Sequence, residues 1–126
     1  MPLGQERPLE WLGSSKKDLL SLPEDVRRSF GHALHFAQHG AKHDAAKPLK
    51  GFGDAGVLEV VANGEGGTFR AVYTVRYEEI VFVLHCFQKK SRSGSSLPKN
   101  DKAIIETRLK AASARIEEIR HGKASR

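Results

Sequence analysis

Lys47, Lys50, Arg70, Lys89, Lys90 and Arg92 bring six cations from three segments of the chain, and His85 lies just ahead of the last three. Fixed cations bind RNA phosphate, and they also stabilise the negative charge of a phosphorane transition state. Histidine is the side chain whose ordinary pKa suits proton transfer near neutrality. Two readings of this set stay open at this point. It is either a converged site or scattered surface charge, and His85 is either a site residue or a satisfied histidine of a sheet.

Other patterns that suggest chemistry are weaker. Gly51-Phe52-Gly53-Asp54-Ala55-Gly56 matches the dinucleotide-binding string G-x-G-x-x-G. That string works only after a strand and before a helix, where the helix N-terminus meets the pyrophosphate. Here it precedes Val57-Leu58-Glu59-Val60-Val61, a strand, so the glycines serve a sharp turn instead. His32, His35, His39 and His43 suggest metal ligands. At 100° per residue, however, the first three lie opposite the apolar stripe of their helix, with Arg28. A solvated polar face is the expectation, and no metal is called for. Cys86 next to His85 is not a nucleophile pair, because neighbours on a strand point to opposite faces. Cys86 shares parity with Ile80, Phe82 and Leu84 and is expected in the core. His85 shares a face with Phe87 and Lys89.

The elements that must hold these residues are legible from periodicity. Residues 8–13 read as a short strand. Ser14-Ser15 offers an N-cap for a short helix from Lys16 to Leu20. Ser21-Leu22-Pro23-Glu24 has capping-box spacing and predicts a second helix to Gln38. Its apolar stripe is Val26, Phe30, Ala33, Leu34 and Ala37. Residues 40–56 read as loop. Three strands follow, 57–61, 68–76 and 80–88, with short connections that predict an antiparallel meander. After a polar linker at 91–99, a last helix is expected from Lys99 to Arg120. Its seam of Ile105, Leu109, Ala112, Ile116 and Ile119 can pack on the sheet or on a partner. The expected fold class is α+β. It has a small antiparallel sheet of about four strands, an N-terminal helical hairpin and a C-terminal helix.

The 126 residues suit one domain, 1–126, with 1–7 and 121–126 as flexible tails. One cysteine excludes a disulfide framework or a multi-cysteine zinc site. No run reaches the roughly 18 apolar residues of a membrane span, and no secretory signal opens the chain. A cytoplasmic protein with no membrane partner is therefore expected. The net charge of +6 is unevenly spread. Residues 89–126 carry eleven basic and four acidic side chains, net +7, whereas residues 1–88 carry net −1. Such asymmetry suits a polyanionic partner or a solvated basic helix.

Four stretches carry a family likeness in order: Lys47-Pro48-Leu49-Lys50-Gly51, then Leu58-Glu59-Val60, then Phe69-Arg70-Ala71-Val72-Tyr73, then Val83-Leu84-His85-Cys86-Phe87-Gln88-Lys89-Lys90-Ser91. Together with Leu22-Pro23-Glu24 they span about residues 8–118. The chain resembles the phage-derived, HigB-like host-inhibition toxins of the RelE/ParE superfamily. The resemblance implies a RelE-like fold and the toxin of a type II toxin–antitoxin pair. It implies a ribosome-dependent endoribonuclease that cuts mRNA without a metal or other cofactor. The partners it implies are a cognate helix-turn-helix antitoxin, the ribosome and mRNA. By motif position, Arg70 would contact the scissile phosphate, Lys89 or Lys90 would stabilise developing charge, and His85 would be the general base or acid. Lys47, Lys50 and Arg92 would hold the RNA. Many relatives carry Lys or Arg in the strand that here has only Glu59, which makes Glu59 a candidate base. The catalytic tyrosine near the C-terminus of some branches has no counterpart. Two other functions belong to the same reading: a gyrase-inhibiting ParE-like toxin, and a basic RNA-binding domain without catalysis. On this view the loss of Arg70 should leave the fold intact.

Overall fold

The computed structural model describes residues 6–53, 56–89 and 97–124. The elements run β1 (Leu9–Trp11), α1 (Ser15–Leu20), α2 (Glu24–Gln38), β2 (Lys47–Pro48), β3 (Val57–Gly64), β4 (Gly67–Thr74), β5 (Val81–Lys89) and α3 (Lys99–Ala124). One five-stranded sheet has the order β1-β5-β4-β3-β2. The expected meander is present as β3-β4-β5, antiparallel throughout. The sheet differs from the expected antiparallel one in two ways. β1 pairs with β5 in parallel, Leu9 opposite Val81 and Trp11 opposite Val83. A fifth strand, β2, pairs Lys47 with Glu59 and Pro48 with Leu58 inside the segment read as loop. Two residues that include a proline carry no periodicity, and pairing direction across 70 residues of chain leaves no local pattern.

The helices cover opposite faces. Val26, Phe30, Ala33, Leu34 and Ala37 of α2 are all buried against Val60, Phe69, Ala71, Tyr73, Val81, Val83 and Cys86. On the other face, Ile105, Ala112 and Ile116 of α3 are buried with Val57, Val72, Phe82 and Leu84. The α3 seam therefore packs on the sheet. α3 continues to Ala124, past the expected end. Three of its arginines bind the rest of the fold: Arg108 Nη1 donates to the Leu84 carbonyl at 2.9 Å, Arg115 pairs with Glu10 and Arg120 with Glu79. Part of the C-terminal basic excess thus docks the helix.

The expected capping box does not form. Pro23, extended at ψ 150°, is the N-cap of α2 without a side-chain bond. The Ser21 hydroxyl instead donates to the Asp18 carbonyl at 2.7 Å and closes α1. Of the glycine string, Gly56 takes the turn expected of it. Gly56 has φ +64° and lies against the Arg76 backbone, 3.2 Å from where a Cβ would sit. It leads directly into β3, so no helix N-terminus faces it.

Candidate active site

A bulge in β5 assembles the site. Val83 pairs with Tyr73 and His85 pairs with Val72, so Leu84 has no opposite residue. The extra residue reverses the alternation beyond it. Leu84 and His85 consequently both face α3, followed by Phe87, while Cys86 joins Val81 and Val83 on the α2 side. The expected parity of Cys86 with Phe82 and Leu84 is corrected: it is buried, as expected, but on the opposite face. Burial, and next the negative charge of Asp18, push its thiol up to about 12. An enclosed neutral thiol is a poor nucleophile.

Arg70 lies opposite Phe87 on β4 and faces α3. It is 2% exposed, and its guanidinium pairs with Glu59 of β3 through Nε and Nη2. Its charged carbon also lies 5.7 Å from the centre of the Phe87 ring, a cation–π contact. Phe87 stacks on His85, centroids 4.5 Å apart and planes 20° from parallel. His85 Nε2 in turn lies 2.8 Å from Asp101 Oδ1, in the first turn of α3. The sequence is therefore Glu59–Arg70–Phe87–His85–Asp101, crossing three strands and a helix.

The remaining candidates lie around this line. Lys89, opposite Thr68, shares the face of Phe87 at the end of β5. Lys47 is opposite Glu59 and so shares its face, and both Lys47 and Lys50 are exposed. Val61, opposite Arg70, stays 46% exposed, whereas Arg70 itself and His85 are buried. Lys90 and Arg92 lie outside the described residues. A cleft of about 760 Å³ adjoins the site, and His85, Phe87, Lys99, Asn100 and Asp101 are in its wall.

Two members of this line escaped sequence reasoning as site residues. Asp101 is one acid in the first turn of a basic helix, a position that local electrostatics alone explains. Phe87 reads as one more apolar residue of a strand. Neither carries a local signal, because each meets its partner only across the sheet.

The histidines of α2 are apart from all of this. His32 and His35 are exposed, and His39 is half-buried with its Nδ1 2.9 Å from the His35 carbonyl. Among the described residues no group of three or more His, Cys, Asp or Glu side chains is arranged to hold a metal ion. No helix among them is long and apolar enough to cross a membrane.

Comparison with solved structures shows a RelE-like fold. The free Escherichia coli toxin RelE, as a double arginine-to-alanine mutant, superposes with a TM-score of 0.54 at 19% identity, covering 82% of this chain and 98% of that one. The E. coli RelBE toxin–antitoxin complex gives 0.48 at 22% identity, covering 68% and 99%. A RelBE toxin–antitoxin complex from Mycobacterium tuberculosis gives 0.44 at 19%, covering 67% and 99%. No curated protein matches the sequence. Residues 17–110, from α1 to the middle of α3, match the family described as phage-derived protein Gp49-like (DUF891). With three quarters of its length inside that match, the chain belongs to the Gp49-like family of phage-derived proteins.

Proposed function

We propose that this protein is the toxin of a type II toxin–antitoxin pair and that it cleaves mRNA on the ribosome. The observation that carries the reading is the polar line from Glu59 to Asp101 beside the cleft, on a RelE-like fold. A buried ion pair is a poor device for stability, since apolar residues of the same volume serve at least as well. Its presence beside a histidine and exposed lysines favours function over packing.

The reaction is attack by a ribose 2′-oxygen on the adjacent phosphorus. The O2′–P bond forms, the P–O5′ bond breaks, and a 2′,3′-cyclic phosphate remains. His85 or Glu59 takes the proton of the attacking hydroxyl. Arg70, released from Glu59 by the phosphate, stabilises the added negative charge. Lys89 or Lys90 returns a proton to the departing 5′-oxygen, and Lys47, Lys50 and Arg92 hold the backbone on either side. Such a toxin acts in the cytoplasm and is held in check by a small helix-turn-helix antitoxin. The RelE-like toxin fold supports an antitoxin partner. With the α3 seam packed on the sheet, an acidic antitoxin segment would pair with the cations that begin at Lys89 in the sequence.

Mapping RNA ends in cells expressing the protein tests the proposal. New ends at fixed codon positions in translated messages, absent from untranslated copies, are the expected result. A DNA-damage response without such ends would establish a gyrase inhibitor of the same superfamily. Neither response would leave a basic RNA-binding domain.

A further inference from the structure

We infer that Asp101 is a positioning residue, which holds the His85 imidazole with its proton on Nε2 and so makes Nδ1 the basic atom of the site. The inference rests on the nuclease reading above and adds one residue and one atom to it. An ionised carboxylate only accepts hydrogen bonds, so the 2.8 Å contact requires a hydrogen on Nε2. In a neutral imidazole the lone pair is then on Nδ1.

Three features hold the ring in that state. His85 is 6% exposed, and the Asp101 carboxylate is itself largely enclosed, so water does not compete freely for the bond. Phe87 stacks against the imidazole and opposes rotation of the ring. Asp101 sits in a helix whose side chains Ile105, Ala112 and Ile116 are fully packed on the sheet, which fixes the carboxylate in space.

Nδ1 is buried and meets no hydrogen-bond partner among the described residues. A buried polar atom without a partner needs a reason. His85 and Asp101 both lie in the wall of the cleft, so a ribose 2′-hydroxyl bound there would donate to Nδ1 once the side chains that seal it from water in the free protein move aside. A latch that merely tied α3 to the sheet would need the Nε2 bond but would not need the second nitrogen left open. The arrangement has the logic of an oriented base, in which one ring nitrogen is fixed so that the other can accept a proton.

The charged groups around the ring come from several elements. α3 contributes Asp101, Lys99 and Arg108. β4 contributes Arg70 behind Phe87, β3 contributes Glu59 on Arg70, and α1 contributes Asp18 beside Cys86. Asp101 alone among them is hydrogen-bonded to the imidazole, so its removal should alter the pH profile of cleavage most directly.

The test uses the full chain with nitrogen-labelled histidine and a long-range proton–nitrogen correlation spectrum, His85 being assigned by its loss in His85→Gln. The expected spectrum shows one tautomer, protonated at Nε2. Asp101→Asn, which can present an amide donor to Nε2, should populate the other tautomer, and Asp101→Glu should restore the first. With purified ribosomes and a defined message, Asp101→Asn should slow cleavage about tenfold or more and shift the acid limb of its pH profile. The double variant with His85→Gln should be no slower than His85→Gln alone. If Asp101→Asn fails to fold, Asp101→Glu and Asp101→Ala carry the same comparison. A proton on Nδ1 in the unmodified protein overturns the inference. So does an unchanged tautomer in both Asp101→Asn and Asp101→Ala, or an unchanged rate and pH profile in them. Failure of the unmodified protein to cleave any message would overturn the nuclease reading instead, and the spectra would still decide which nitrogen carries the proton.

Discussion

The two faces of the sheet are built from the same three central strands and are covered by one long helix each, yet they differ in kind. The face under α2 is dry and apolar from Val60 to Cys86. Among the described residues of its strands, Cys86 and Tyr73 are buried ionisable side chains, and burial keeps both neutral, each pushed up to about 12. The face under α3 begins the same way, with Val72, Phe82 and Leu84, and then changes to Glu59, Arg70 and His85 towards the first turn of the helix. A fold needs one dry face to be stable. The second can carry buried charge because the first supplies the packing. The polar half of the α3 face is therefore where the proposed chemistry would be carried out, and three experiments separate it from the apolar face.

The largest effect should come from breaking the ion pair. Arg70→Ala leaves the Glu59 carboxylate enclosed without its main counter-charge, which should destabilise the fold by about 3–5 kcal/mol in urea unfolding and abolish growth arrest. This corrects the expectation from sequence that the fold would survive the change untouched, because burial of Arg70 at 2% exposure was not visible there. The joint replacement Arg70→Met with Glu59→Leu should recover most of that stability while remaining non-toxic. A stable double variant that still arrests growth would show that the polar half is not the working part.

An intermediate effect belongs to the apolar face. The Cys86 thiol rises from 9.0 to about 12 and the Tyr73 phenol from 10.0 to about 12 on folding, both through burial. The unfolded chain loses these protons first. The stability they contribute is thus complete below pH 9 and is lost as pH rises from there towards 12. Each group adds at most about 1.4 kcal/mol per pH unit to the decline. Unfolding followed at pH 8, 9 and 10 should show the fall beginning near 9, and Cys86→Ala should move its onset to about pH 10. Full stability at pH 10 in the unmodified protein would mean that this face is wetter than its packing indicates.

The smallest effect should come from outside both faces. Replacing His32, His35 and His39 together by glutamine should change thermal stability by less than about 1 kcal/mol and leave growth arrest unaltered. A zinc-dependent gain in activity that disappears in the triple variant would add a third functional surface and end the two-face comparison.

Local pattern in the chain determined a great deal. The stripe from Val26 to Ala37 could bury only as a helix, and the seam from Ile105 to Ile116 likewise. The alternation in Phe69, Ala71 and Tyr73 left Arg70 on the other face. The glycines between β3 and β4 predicted the turn that joins them. These features depend on neighbours within one or two turns of chain, where the period of the backbone translates residue order directly into direction. Capping was less secure: Ser21 had the right spacing to start α2 but closes α1 instead, because the extended Pro23 separates it from the helix it precedes. The site was legible as a set of residue types, since Glu59, Arg70, His85 and Lys89 do share a face. What only the tertiary structure decided was how they meet. One unpaired residue, Leu84, turned His85 towards α3 and Cys86 away from it. The partner of His85 came from a helix that begins ten residues beyond the end of its own strand. The parallel pairing of β1 and the two-residue β2 were likewise invisible. A bulge, a pairing direction and a contact between distant segments are settled by competition among whole packings, and residue order along a single strand or helix has no term for them.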